Sequence, residues 1–247
     1  RALLTLNEDR ELDLVSAQKI FGYFDKSQLI DLFKLIDRYL FCELDPLILS
    51  PEQQPCEMPR ALQIAPARAL WHLDLGGDRA ARRAPLHQNW RNQLQQAENG
   101  PLRVLHRPLT PDHPLLALEA AQARERRYQN WPPALTSAFA RAAPDQTHLF
   151  TALLRGHTVA QMLFLTHGNR ATYHIGHTGA DGRRLHAHNL LMWQAMNALA
   201  ARGITSLDLG ITATPAIDRF KRRTGAVAQP TGGTWLRWTP LAPHRRP

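Results

Sequence analysis

Cysteine is almost missing from this chain. Its 247 residues include two, Cys42 and Cys56, too few for a disulfide framework and without the CxxC spacing of a zinc site. Long apolar runs are missing as well. No stretch approaches the ~18 residues a membrane span needs, and nothing following Arg1 resembles a signal peptide. The default expectation is a cytoplasmic protein. Aromatic residues stand at 7%, yet hydrophobic residues reach 44% and charged residues 21%, an ordinary globular composition. The length suits one or two domains with a sizeable core.

Lysine is the scarcest charge. Only Lys19, Lys26, Lys34 and Lys221 occur, and three of the four lie near the start. The net charge of +9 conceals a division. Residues 1–60 carry 11 acids and 7 bases, a balance of −4, whereas residues 61–247 carry 10 acids and 23 bases, a balance of +13. Two parts are expected: an acidic helical segment with a linker over 1–60, and a basic domain over 61–247. Basic charge of that size implies an anionic partner without naming it.

In the acidic part, residues 11–44 read as two amphipathic helices. Leu29, Ile30, Leu32, Phe33, Leu35, Ile36, Tyr39 and Leu40 recur at helical spacing after Asp25-Lys26-Ser27. This hairpin suits a helical cap on the main domain, or else protein docking or dimerisation. Pro46 and Pro51 end the pattern, and Ser50–Pro59 reads as a linker.

The basic part alternates. A strand is expected over Ala69–Leu75, one helix from Asp78 to about Glu98, a strand over Leu102–Arg107, and helices over His113–Tyr128 and Pro132–Arg141. Three strands follow, His148–Arg155, Thr158–Thr166 and Ala171–His177, joined by tight turns that imply antiparallel hairpins. Next come a helix over Arg184–Arg202, a strand over Ile204–Leu209, a helix over Pro215–Arg223 and a last strand around Thr234–Trp238. The order β-β-β-α-β-α-β gives an α/β (α+β) fold, a mixed sheet with helices on both faces. A ligand cleft is expected at the carboxyl ends of the strands closing near His177 and Gly210.

Four stretches carry a resemblance. They are Asn89–Glu98 (NWRNQLQQAE), Glu125–Tyr128 (ERRY), Asn189–Trp193 (NLLMW), and Leu207–Gly210 (LDLG) followed by Arg219-Phe220-Lys221 and Thr224-Gly225-Ala226. Together with the element order they resemble the FemAB-like branch of the GNAT acyltransferase superfamily, over about residues 66–240. The resemblance implies a GNAT-like sheet and transfer of an acyl or aminoacyl group from an activated donor, an acyl thioester or aminoacyl-tRNA, to an amine acceptor. It also places Lys221 where such enzymes keep a charge-stabilising lysine, and Tyr173 on a ligand-contacting strand.

One departure bears on the donor. GNAT enzymes that use CoA carry a glycine-containing loop between the third meander strand and the next helix, whose N–H groups hold the pyrophosphate. Here that place reads Thr178–Ala187 (TGADGRRLHA), with the opening basic residue but no glycine at the required spacing. No tightly bound cofactor is expected, and the donor stays open.

The residues supply further candidates. Arg91, Arg183, Arg184, Arg222 and Arg223 suit donor phosphates, since guanidinium presents a planar fork to phosphate oxygens. Asp208 ends a strand beside the cleft and suits a base or an amine-orienting group, or else a turn cap. Tyr173 and His174 alternate on one strand, so one of them faces the cleft. His186, His188, Asn189 and Trp193 are expected to line its mouth, and His186-x-His188 lacks the partners of a metal site. Lys221 has a plainer alternative as part of a solvated Lys-Arg-Arg helix end. The whole domain has one too, as a catalytically silent module binding RNA or another anion.

Overall fold

The computed structural model describes residues 47–49, 61–128, 130–211 and 214–237. The expected helical hairpin at 11–44 and linker at 50–59 lie outside the described residues. The chain forms two compact units, one from residues up to Arg68 together with Pro230–Pro247, the other from Ala69–Gln229.

In the first unit, β1 (Leu47–Leu49), β2 (Ala61–Ala65) and β10 (Thr234–Arg237) form a three-stranded antiparallel sheet with β10 in the middle. This corrects one expectation. The last strand does not extend the main sheet, and the strand that follows the final helix there is β9 (Val227–Pro230). Its exposed residues and closing proline mark an edge, which gives little apolar pattern to read.

In the second unit, β3 (Ala69–Asp74), β4 (Leu102–Arg107), β5 (Thr147–Leu154), β6 (His157–His167), β7 (Arg170–Thr178), β8 (Ser206–Ile211) and β9 make a seven-stranded sheet, ordered β4-β5-β6-β7-β8-β3-β9. The meander β5-β6-β7 is antiparallel and β7 pairs with β8 in parallel, as the element order implies. Alternate residues of β5 and β6 feed two cores. Phe150, Ala152, Met162 and Phe164 face one, with α2 (Gln88–Glu98) and α6 (Ala187–Ala200), while Leu149, Leu163 and Leu165 face the other, with α3 (Leu115–Arg126) and α4 (Pro133–Ala142). Each buried Leu or Phe contributes about 1.5–3 kcal/mol. α6 is apolar almost all round and buries Leu190, Leu191, Met192, Met196 and Leu199.

One expected helix is broken in two, and another is preceded by a short helix of its own. The stretch after Asp78 forms α1 (Arg79–Arg83) and α2, parted around Pro85, which has no N–H to continue the first helix. The helix expected over Arg184–Arg202 is α6, and a short helix α5 (Ala180–Arg184) precedes it, the two parted at His186, whose φ of 52° is left-handed. The remaining helix, α7 (Pro215–Arg223), has Thr214 as N-cap and Pro215 at its first position.

Candidate active site

β7 and β8 pair only through Arg170–Thr172 and Ser206–Asp208. β7 then runs on to Thr178 and β8 to Ile211, so the two strands part at their carboxyl ends. An opening between parallel strands exposes backbone and side chains that a continued ladder would cover. Irregularities flank it on both sides. On β7, Tyr173 pairs with Phe164 and Ile175 with Leu163, leaving His174 as an extra residue. The bulge transfers the strand from one core to the other, Ala171 packing in the first and Ile175 in the second. On β8, Leu70 opposes Ile211 and His72 opposes Asp208, so the bulge includes Gly210, at φ 81°.

On the β8 side, α7 brings in Lys221. Its side chain is 6% exposed, which removes the solvated-face alternative, and its Nζ donates to the Ile211 carbonyl at 2.7 Å. Burial lowers the ammonium pKa, while Asp218 and Asp208 pull it back up. Asp218, 9% exposed, accepts from Trp71 Nε1 at 3.1 Å, and Asp208 Oδ1 accepts the Gly210 N–H at 2.6 Å. Asp208 therefore does cap its own turn while it acts on Lys221.

On the β7 side, Tyr173 is tilted against Phe164 with ring centroids 5.4 Å apart. Its hydroxyl lies over Gly176, where a Cβ would have no room. Burial, Glu119 and Tyr128 all raise its pKa. His174 turns to α4, its Nε2 2.9 Å from Thr136 Oγ1 and its ring 4.8 Å from that of Trp131, and burial drives its pKa down to about 4.

The other expected residues are spread around this opening. Arg183 donates to the Thr178 carbonyl at 2.8 Å, and Arg184 pairs with Asp181 at 2.9 Å. His186 forms the break between α5 and α6. His188 donates from Nε2 to the His177 carbonyl at 3.1 Å, and its pKa is lowered mainly by burial. Asn189 reaches Gln93 of α2 at 3.3 Å. Arg91 lies on α2 and donates to Gln88 at 2.7 Å. Arg222 stacks over Trp71 at 5.9 Å, and the Arg223 carbonyl accepts the His87 N–H at 3.0 Å. Trp193 is completely buried, with the guanidinium groups of Arg79 and Arg83 about 5.5 Å and 5.4 Å from its ring centroid, so it is a core residue and lines no surface. The structure thus gathers Lys221 and Asp208, with Tyr173 one residue beyond Asp208's strand partner Thr172, and leaves the five arginines in three separate places.

Trp71, Asp218, Glu119, Tyr128 and Asn130 were not among the sequence candidates. Asp218 had a signal, three residues before Lys221 on one helix face. Glu119 had another, a charge within the apolar stripe that Leu115 and Leu116 begin on α3. Among the described residues no group of three or more His, Cys, Asp or Glu could hold a metal ion, and no helix is long and apolar enough to cross a membrane.

The segment after β7 is occupied by its own bonds. The N–H groups of Gly179, Arg183, Leu185 and His186 donate to the carbonyls of Val159, Gly179, Asp181 and Arg183. Gly182 packs against the Val159 carbonyl and Thr178 Oγ1 so closely that a Cβ would collide with both.

A family model described as an acetyltransferase (GNAT) domain matches residues 80–222. Among solved structures, one of FemX is similar with a TM-score of 0.60 at 9% identity, covering 92% of this chain and 76% of that one. A conserved protein of unknown function from Bacteroides thetaiotaomicron VPI-5482 is similar with a TM-score of 0.50 at 14% identity, covering 93% of this chain and 76% of the other. At such identities the likeness is one of fold. No curated protein sequence matches the chain.

Proposed function

The chain belongs to the acetyltransferase (GNAT) domain family, and we propose that it transfers an acyl or aminoacyl group from an activated donor to an amine acceptor at the opening between β7 and β8. The observation that carries this reading is Lys221, buried at the carboxyl end of β8, its pKa lowered by burial and partly restored by Asp218 and Asp208. Attack of an amine on a thioester or ester carbonyl concentrates negative charge on the carbonyl oxygen, and a fixed cation in a partly desolvated site stabilises that charge. The C–N bond forms, the C–S or C–O bond breaks, and the leaving group takes up a proton. Tyr173, on the β7 side of the opening, carries the hydroxyl assigned to that proton transfer, although burial, Glu119 and Tyr128 weaken it as an acid. The amine in turn gives up a proton to a carboxylate of the site.

The donor class stays at acyl thioester or aminoacyl-tRNA, and the departure of residues 178–187 from the usual glycine-containing loop favours a donor not held in that way. The test supplies labelled acetyl-CoA and labelled aminoacyl-tRNA in separate reactions with amine acceptors. The expected result is label on the amine from one donor, with Lys221→Met lowering kcat/KM by roughly 100-fold or more while circular dichroism is unchanged. Full turnover by Lys221→Met would overturn the mechanism. No transfer from either donor, with RNA binding that weakens steeply with salt, would favour the silent module instead.

A further inference from the structure

At the β4 edge of the seven-stranded sheet, β4, β5, α2 and α6 border a cavity of about 390 Å³. β6 stands between it and the opening of β7 and β8, so the two are separate places. Leu102, Val104, Phe150, Leu190 and Ala198 give the cavity apolar walls, and its polar groups are His106, Glu98 and Gln194. An apolar cavity of about 150 Å³ already holds a benzene ring, so this one has room for a substituted ring.

His106 decides what the cavity can bind. It faces Phe150 across the β4–β5 ladder, with ring centroids 4.1 Å apart and planes 8° from parallel. Its Nε2 lies 3.2 Å from His148 Nδ1, and His148 Nε2 lies 3.4 Å from Thr166 Oγ1. Thr166 in turn donates to the Gln146 carbonyl at 3.3 Å. His148 and Thr166 are buried, so these bonds are the ones that satisfy them.

The direction of every bond follows from the carbonyl. It can only accept, and so it takes the single hydroxyl proton of Thr166. Thr166 Oγ1 then accepts from His148 Nε2, which leaves His148 Nδ1 without a proton. His106 Nε2 donates to that nitrogen. The chain therefore fixes His106 with its proton on Nε2 and a lone pair on Nδ1. Burial lowers the pKa of both rings, His148 to about 4, and Arg202 adds to the effect on each, so both stay uncharged at neutral pH. Among the described residues no group donates to His106 Nδ1, which is the ring nitrogen left to the cavity.

Charge narrows the ligand further. Glu98 is already engaged by Arg79 at 3.8 Å and by Arg83 at 3.3 Å, so a cation finds that carboxylate matched. An anion meets both the carboxylate and the lone pair. A neutral hydrogen-bond donor on an apolar body meets neither objection.

We infer that this cavity is a second binding site, for a phenol, whose ring packs on the apolar walls while its hydroxyl donates to His106 Nδ1. A phenolic hydroxyl is a strong neutral donor, and a rigid ring loses little conformational freedom on entering. The site is independent of the transfer reading.

The test titrates the full chain with p-cresol by isothermal titration calorimetry, with p-methylanisole and toluene as controls. p-Methylanisole keeps the ring and the oxygen but has no proton to donate. The expected result is saturable binding of p-cresol, at least tenfold tighter than either control. His106→Phe keeps a ring beside Phe150 and removes the acceptor, and it should erase the preference for p-cresol. Ala198→Leu, which fills the cavity and leaves His106 in place, should weaken p-cresol at least tenfold and serves if His106→Phe does not fold. The proposal is overturned if wild type gives no saturable heat with p-cresol, or binds p-methylanisole equally well. It is also overturned if His106→Phe keeps the preference, or if Ala198→Leu binds p-cresol as wild type does.

Discussion

The indole Nε1 of Trp71 donates to Asp218 Oδ1 at 3.1 Å, joining β3 to α7 across 147 positions of sequence. That bond holds the carboxylate which, one helical turn away, opposes the effect of burial on the Lys221 pKa. A hydrogen bond between side chains of the sheet and the helix thus controls the electrostatics of a third residue.

Trp71→Phe removes the donor and leaves a buried carboxylate oxygen without it. The expected loss of stability is about 1–3 kcal/mol, read as a lower denaturation midpoint with an unchanged slope in urea. Transfer activity should fall as well, in kcat more than in KM, because the change alters the ammonium and not the substrate contacts. A Trp71→Phe variant with wild-type stability would mean that the bond contributes nothing net.

Gly176 is where the Tyr173 hydroxyl lies. Gly176→Ala forces the ring aside, at a cost of about 1–3 kcal/mol for an overpacked site. Tyr173→Phe in the same chain should recover part of that loss. The double-mutant cycle should therefore show a favourable coupling between the two substitutions, and strict additivity would contradict the close approach.

Two histidines make stability depend on pH. Burial drives both His148 and His174 down to about 4 from 6.5, and His106 and Arg202 add to the effect on His148. Between those values the unfolded chain binds protons that the folded chain refuses, so stability rises with pH there. The contribution is complete above pH 6.5 and is lost as pH falls toward 4. Melting temperatures measured from pH 7.5 to 4 should fall along that window. The paired variant His148→Gln, His174→Gln, which cannot titrate at either place, should show a shallower slope.

Much of the architecture could be read from the residues because it depends on local order. The three meander strands, the crossover helix and the strand ending at Gly210 follow from hydrophobic spacing and from turns placed between them. The breaks at Pro85 and His186 were harder. Proline carries its own warning, but a histidine in the left-handed region carries none, and its strain is visible only in the fold. The site divides in the same way. Lys221 stood out as the one lysine of the basic part, yet its burial depends on β8 ending where it does. Glu119 stands within the apolar stripe of α3, but its burial and its bonds to Tyr128 and Asn130 exist only once the chain has turned back after α3. Trp193 misled in the opposite direction, since an aromatic near a presumed cleft turned out to fill the core.

The small sheet of β1, β10 and β2 has a consequence for the order of assembly. Among the described residues β1 and β2 do not pair with each other, and each pairs with β10 alone, with Leu49 opposite Trp235 and Gln63 opposite the same residue. During synthesis both early strands must wait, edges open, until nearly the whole described chain has emerged. Such distant pairing closes the longest loops in the chain and is entropically the slowest to form. β1 and β2 are therefore late to pair although they are made before β10, and a chaperone or a neighbouring nascent chain meets their edges before their own partner strand does.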